Sequence, residues 1–414
     1  MQTKIKDRLI YLGIRSFLGV YSILMFLAGK FGIKRKAVEE RALRLLLTGQ
    51  FYSSNWILAH LRPLAVSSLC EEVGVVTDFL IPGMEKVKVY RPPSWLVTLV
   101  GATLARLIVF IGVAVKTRPD VIGGFHLLLN GLTATLVAKA IGARSLYFCV
   151  GGPAEVLDGG ILSENRLFGK LRRPYFSIEQ ILLKTISTFD IVIVMGNSAE
   201  KFFKFKNVHS DFRIISGGLD TDYFKPSRQS ARFDLIFAGR LVPIKRVDLF
   251  LESVRLVKAI RPDISAAVVG DGPLAKDLQE VSVKMGLSEN VYFAGFQADV
   301  APWLKQARIF VLTSISEGLS LAMMEAMACG LPVVVPKIGD LGDLVVDQVN
   351  GYLTSRSDPR LIADCISKLL AEPEKLSCFS QSARKAAEQL SITNAVEKWN
   401  RVFEDHVISR TANG

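Results

Sequence analysis

The chain has 414 residues, half of them hydrophobic, and its mean hydropathy is positive, so it has length for two domains and apolar material for their cores. Its five cysteines (Cys70, Cys149, Cys329, Cys365, Cys378) form no CxxC pair, and its four histidines show no HExxH spacing. That argues against a disulfide framework or a zinc site and fits the reduced thiols of a cytosolic protein. The net charge of +12 lies wholly in residues 1–225, with 29 Lys+Arg against 17 Asp+Glu, while residues 226–414 carry 22 of each. A basic half implies an anionic partner, either an acidic membrane surface or a phosphorylated substrate. Nucleic acid is the weaker choice, since no recognition motif accompanies the charges.

Residues 1–36 form a basic, apolar first segment. Its stretch 9–33 is interrupted by Arg15 and Lys30, and the uncharged run Ser16–Gly29 is shorter than the roughly 20 residues that span a bilayer. Lys4, Lys6, Arg8, Lys34, Arg35 and Lys36 flank it, which suits an interfacial anchor on anionic lipid; the other reading is a packed domain helix. Residues 37–225 then read as an α/β domain with strands at 43–49, 74–79, 119–124, 145–150 and 189–196. Trp95–Val115 is long enough to span, but Arg106 sits at its centre and a strand follows at once, so it is expected to be a core or interface helix.

Residues 226–390 alternate more cleanly. Strands at 234–239, 266–271, 291–295, 309–314 and 332–336 are near-continuous apolar runs, as expected of a parallel sheet covered on both faces. Between the two domains runs the Gly-, Ser- and charge-rich link 216–232. Residues 391–414 close the chain with an amphipathic helix over 391–408 that Ser391 can cap. The fold class is α/β, two doubly wound domains.

The stretch Ser316–Val335, "SEGLSLAMMEAMACGLPVVV", holds two carboxylates eight positions apart. Glu317 stands at the carboxyl end of a parallel strand, just before a helix N-terminus, the edge where open α/β sheets bind ligands. Gly318 allows close approach, and the free N–H groups of the first turn favour a phosphate. Glu325 lies two turns further on, where a carboxylate can accept hydrogen bonds from ribose hydroxyls. Arg240 and Lys245, just after the first strand of the second domain, bring two cations to the same edge. Carboxylates for hydroxyls at both ends and cations for a diphosphate between them fit a nucleotide sugar.

The segments "IFAGRLVPIKRVDLFLES", "VVGDGP", "VYFAGF", "SEGLSLAMMEAMACGLPVVVP" and "GDLGDLVVDQVNGYL" fall in order and resemble the donor half of the family-four retaining glycosyltransferases, which have the GT-B fold. "IISGGLDTDYFKP" is similar to their interdomain signature. The resemblance covers about 190 residues, from Ser216 to roughly 405, and holds for the first half only in outline. It implies two Rossmann-like domains facing a central cleft, the first binding acceptor, the second binding donor, and a last helix crossing back. It implies that Arg240 and Lys245 hold the diphosphate, Glu325 the ribose and Glu317 the donor sugar. Gly239, Gly270, Gly318, Leu319, Ser320 and Leu321 complete the donor-binding set within the matched motifs, and Gly49 falls where the family has a glycine near the phosphates. No metal and no further cofactor is implied, and the leaving phosphate takes the acceptor proton.

The sequence departs from that pattern at three places. Arg246 stands for a usual Gly after the Lys, Asp340 stands in a usual Gly-Gly pair, and Val150-Gly151 replace a frequent His-Gly. The nearest histidine is His126, which enters the candidate catalytic set. Asp220-Thr221-Asp222 imitates a metal-binding DxD but lies inside the interdomain signature, so a structural role is expected. "GDGPLA" (Gly270–Ala275) imitates a dinucleotide fingerprint without the acidic ribose ligand. The sequence therefore points to a retaining, metal-independent glycosyltransferase. It would be peripheral on the inner face of a cell membrane and act on an anionic or lipid-linked acceptor in envelope or polysaccharide synthesis. The rivals are a same-fold epimerase or phosphorylase and a non-catalytic nucleotide-sugar binder.

Overall fold

The computed structural model describes residues 2–34, 41–51, 53–161, 168–171, 173–227, 230–355 and 358–407. Arg35, Lys36 and residues 408–414 of the expected terminal segments lie outside them, and the side chains of Lys4 and Lys6 are likewise not described. The chain divides into two units, residues 1–217 with 395–414, and residues 218–394.

The first unit opens with α1 (Gln2–Phe31), followed by β1 (Leu43–Thr48), α2 (Ser54–Val66), β2 (Cys70–Val76) and β3 (Val87–Tyr90). Then come α3 (Ser94–Val100), α4 (Ala102–Thr117), β4 (Val121–Phe125), α5 (Leu132–Ile141) and β5 (Arg144–Cys149). It continues through α6 (Phe176–Ile186), β6 (Ile191–Val194), α7 (Asn197–Phe205) and β7 (Asp211–Ile214). Its sheet has the order β3-β2-β1-β4-β5-β6-β7, parallel throughout.

The second unit contains β8 (Phe233–Ala238), α8 (Val247–Lys258), β9 (Ala266–Val269), α9 (Ala275–Lys284), β10 (Val291–Gly295), α10 (Ala301–Leu304) and β11 (Ala307–Val311). After these come α11 (Leu321–Ala328), β12 (Val333–Pro336), α12 (Leu341–Leu344), β13 (Gly351–Thr354), α13 (Pro359–Ala371), α14 (Pro373–Glu388) and α15 (Ile392–His406). The sheet order is β10-β9-β8-β11-β12-β13, again parallel. The inner strands "LIFA", "AAVV" and "VVV" are fully buried, because helices cover both faces of the sheet.

Several boundaries differ from the sequence reading for identifiable reasons. The second unit opens at Gly218, eight residues before the expected boundary, because the Leu219 N–H donates to Leu390 O and Leu219 bridges Ser391. Ser391 accepts from Asn394 N at 3.3 Å and so starts α15, as expected. From Ala395 that helix belongs to the first unit. Trp399 packs on Phe148, Asn400 accepts from Ser67 Oγ at 2.6 Å, and Asp405 pairs with Arg213 at 3.0 Å. The expected helix 95–115 is two helices, because Gly101 has φ +81 and breaks it. Arg106 is buried, donating to Asn130 at 3.1 Å and pairing with Asp78 at 3.4 Å, so the charge that argued against a spanning helix sits in a polar contact of the fold. Within the expected first segment, α1 packs on the first unit, with Ile14, Leu18, Tyr21 and Met25 buried in its core.

Candidate functional site

Both sheets reverse their strand order once, between β1 and β4 in the first unit and between β8 and β11 in the second. Loops leaving the carboxyl ends of such a strand pair splay in opposite directions and open a crevice, the usual ligand position in a doubly wound sheet. All candidate residues except Leu321 and Glu325, which lie in α11, are on loops at these two reversals or on the loops beside them.

In the second unit the β8–α8 loop carries Gly239, Arg240 and Lys245, and the β11–α11 loop carries Ser314, Glu317 and Gly318. Lys245 Nζ lies 2.5 Å from Glu317 Oε1, and Ser314 Oγ donates to the same oxygen at 2.6 Å. Backbone bonds hold the two loops together. Ile315 N donates to Ile244 O at 2.9 Å, and Thr313 Oγ1 donates to Lys245 O at 2.9 Å. Most of each ion-pair partner is enclosed, with side chains 18% and 11% exposed, so the pair is shielded from the screening that weakens a surface pair.

The glycines here serve backbone crossings. A Cβ on Gly270 would sit 1.9 Å from Gly239 O, and one on Gly272 would sit 2.5 Å from Leu241 O. The "GDGP" motif thus lets the β9 loop lie directly on the loop after β8, and its dinucleotide-like spacing has a packing cause. Gly339, at φ +50, would clash with Glu317 O at 1.9 Å, and the Asp340 N–H donates to Gly318 O at 3.0 Å. The β12–α12 loop therefore supports the Glu317–Gly318 backbone from behind. Asp340 has φ −97 and needs no glycine, which explains that departure from the family pattern. Arg246 has φ +46, so the usual Gly there would relieve strain.

Ser320 caps α11, accepting from Met323 N at 3.4 Å, while Leu319 and Leu321 are half-buried against the core. Glu325 is 3% exposed within α11. Asp220 accepts from Tyr223 N at 3.0 Å and closes a turn, the structural role expected of the DxD.

In the first unit Gly49 follows β1 and packs against Phe51 and Phe125, where a Cβ would meet ring atoms at 2.8 Å. Phe51, Trp56, His60 and Phe125 form one aromatic cluster. His60 is buried; its Nδ1 lies 2.8 Å from Trp56 O, its Nε2 has no hydrogen-bond partner among the described residues, and burial pushes its pKa down to about 4. His126 leaves β4 at φ +65, followed by Leu129 at φ +66, so the connection is strained at two non-glycine residues. His126 Nδ1 lies 3.1 Å from Glu155 Oε1.

Sequence reading missed Glu155, although it organises this edge. It is buried, and it accepts from Leu127 N at 2.7 Å, Gly151 N at 2.8 Å and Tyr147 Oη at 2.9 Å. Burial alone would push its carboxyl up, but the His126 charge and the hydrogen bonds from His126, Leu127 and Gly151 outweigh burial and hold it below its ordinary value. An acid in the apolar run "GGPAEVL" was the available signal. Val150-Gly151 therefore stand beside a carboxylate–imidazole pair.

Residues 232–372 match the family of glycosyl transferases group 1. This part of the chain is a glycosyl transferases group 1 domain. Among curated proteins, the chain is 34% identical over 192 residues to the D-inositol 3-phosphate glycosyltransferase of Frankia alni, covering 41% of this chain and 47% of that protein. It is 23% identical over 368 residues to the Escherichia coli UDP-Gal:alpha-D-GlcNAc-diphosphoundecaprenol alpha-1,3-galactosyltransferase, covering 83% and 90%. With the first curated relatives the match spans about half of their length. Among solved structures, Anabaena Alr3699/HepE in complex with UDP-glucose superposes with TM-score 0.68 at 18% identity, covering 88% of this chain and all of that one. The sucrose-phosphate synthase of Thermosynechococcus elongatus gives 0.69 at 16%, covering 88% and 98%. At such identities the likeness concerns the fold, which is GT-B.

Proposed function

We propose that the chain transfers a sugar from a nucleoside diphosphate donor to an anionic or lipid-linked acceptor at the cytoplasmic face of a membrane, with retention and without a metal. The observation that carries this reading is the joined pair of loops at the β8/β11 reversal, with Lys245, Ser314 and Glu317 in contact and Arg240 on the same loop as Lys245. Without donor, Lys245 and Glu317 neutralise each other. With donor, the diphosphate takes Lys245 and Arg240, and Glu317 turns to sugar hydroxyls.

In the transfer, the bond from the sugar C1 to the phosphate oxygen breaks and a bond from C1 to the acceptor oxygen forms. The acceptor proton passes to the departing phosphate, and the nucleoside diphosphate leaves. Fixed cations stabilise the charge that grows on that phosphate and need no reorganisation as it grows. Glu325 is assigned to the ribose. Gly49, after β1, is assigned to the donor phosphates, as its place in the sequence suggests, and His126 to the acceptor side, with Glu155 fixing the imidazole.

The names of the relatives support the acceptor class. One acts on a diphosphoundecaprenol-linked sugar and another on D-inositol 3-phosphate, both anionic. UDP-sugars are the first donors to try, because HepE was crystallised with UDP-glucose. The test is turnover with a panel of nucleotide sugars and a lipid-diphosphate acceptor, with and without EDTA. Transfer that survives EDTA and fails in Glu317→Ala supports the reading. Hydrolysis, epimerisation or inertness with every donor refutes it.

A further inference from the structure

Helix α1 is apolar on two sides. Ile14, Leu18, Tyr21 and Met25 face the core, yet Leu9, Val20, Ile23, Phe26 and Phe31 on the other side are 58–74% exposed. Within Asp7–Phe31 only Asp7, Ile14, Leu18, Tyr21 and Met25 are buried, so α1 is not an ordinary core helix. A helix with two apolar sides needs a second apolar neighbour. A second such surface lies close by. Trp95 and Leu99 of α3 and Leu104, Ile108, Ile111 and Val115 of α4 are exposed. Helices α1 and α4 both pack on α5, α1 through Gly29 and Gly32 against Lys139 and Ala140.

The charges around these faces have one sign. Arg8, Arg15, Lys30 and Lys34 on and beside α1, and Arg91 and Lys116 around α3–α4, are exposed. The one acid in residues 1–38 is Asp7, which is buried, and residues 86–119 contain none. Apolar faces whose own stretches carry exposed cations and, among the described residues, no exposed acid match the interface of an anionic bilayer, where side chains such as Phe, Leu and Trp enter the acyl boundary and Lys and Arg meet headgroups.

α1 is also tied down along its length. The Tyr175 hydroxyl donates to Asp7 Oδ2 at 2.6 Å, the Tyr11 ring stacks on Tyr175 at 4.4 Å, and Ile33 N donates to Ala140 O at 2.9 Å at the far end. To cross a membrane, the helix would have to give up all of these contacts together with the burial of Ile14, Leu18, Tyr21 and Met25. We infer that the outer faces of α1 and α3–α4 form a bilayer-docking surface on which α1 lies flat in the headgroup layer of anionic lipid, still packed on its own domain. This rests on the membrane part of the proposed function and not on its chemistry.

The test is binding of the full chain to vesicles with and without phosphatidylglycerol in moderate salt, together with depth-dependent quenching. Tight binding to phosphatidylglycerol vesicles is expected. It should fall at least tenfold in Val20→Glu/Phe26→Glu and in Ile108→Glu/Val115→Glu, with far-UV circular dichroism unchanged. Tryptophans placed singly by Leu9→Trp, Val20→Trp and Phe31→Trp should all be quenched best by lipids brominated near the headgroup, and equally. Val20→Trp quenched best by deep bromines means a crossing helix and overturns the inference. So does absence of binding, or binding indifferent to both glutamate pairs. A dimer that these pairs convert to monomer without any vesicle binding overturns it too, since a second copy then covers the face. Vesicle binding without sugar transfer would refute only the proposed chemistry.

Discussion

The two units reverse their strand order in the same way and fill the reversal with opposite chemistry. At β8/β11 the loops hold Arg240 together with Lys245, Ser314 and Glu317, the last three joined by an ion pair and a hydrogen bond. At β1/β4 Phe51 of the β1–α2 loop, Trp56 and His60 of α2 and Phe125 at the end of β4 pack ring on ring, with the pair of His126 after β4 and Glu155 after β5 beside them. A parallel sheet supplies the crevice; the loop residues decide what it is for. Charges fixed in a crevice suit a diphosphate, whereas an aromatic cluster with the His126–Glu155 pair beside it suits an acceptor of mixed polarity. The contrast is sharpened by asking which reversal controls turnover and which controls stability.

The largest effect is expected at the charged reversal. Glu317→Ala and Lys245→Ala should each lower kcat by 10²–10³, about 3 kcal/mol of transition-state stabilisation, with the melting temperature nearly unchanged. Steady-state kinetics on both variants checks this; near wild-type kcat in both removes the donor assignment.

Acid should act at the aromatic reversal instead. Burial holds His60 to a pKa of about 4 when folded, against its ordinary 6.5 when unfolded, so between these values the unfolded chain binds more protons. Stability is then full above pH 6.5 and falls as the pH drops toward 4, by about 3 kcal/mol in total. Denaturant titrations at several pH values should show that slope, and His60→Phe, which keeps the ring, should flatten it. An unchanged slope would mean that His60 is not the buried neutral base described above. Glu155, held below its ordinary value, adds its loss at lower pH still.

At the rim, His126→Ala should lower kcat by about 10², and Glu155→Gln by about tenfold with an altered pH–rate profile, because the amide no longer orients and charges the imidazole. If Glu155→Gln changes only thermal stability, the pair is structural. The smallest effect concerns Arg246. Replacing its left-handed conformation by glycine should raise stability by about 0.5–1 kcal/mol, after the glycine's own entropy and the exposed Asp248 pair are set against the relieved strain. Chemical denaturation of Arg246→Gly measures it.

The inner strands of both sheets were legible because both their faces are covered, which writes continuous apolar runs into the sequence. The strands that sequence reading missed, β3, β7 and β13, are all at sheet edges. "VKVY" and "DFRI" are short and half-exposed there, and "GYLT" begins with the glycine that admits Val333 O. The charged loops were legible as motifs. The His126–Glu155 pair was not, because its members are 29 positions apart and are joined only when β4 and β5 lie side by side. The double-sided character of α1 could not be decided from hydropathy, which scores its buried and exposed faces alike.

The central claim is that the β8/β11 reversal holds a nucleoside diphosphate. Calorimetric titration of the full chain with UDP, GDP and ADP tests it most directly, alongside Arg240→Ala and Lys245→Ala. The account predicts that at least one nucleotide binds and that each substitution weakens it at least tenfold. Binding to none of them, or binding that ignores both substitutions, would contradict it.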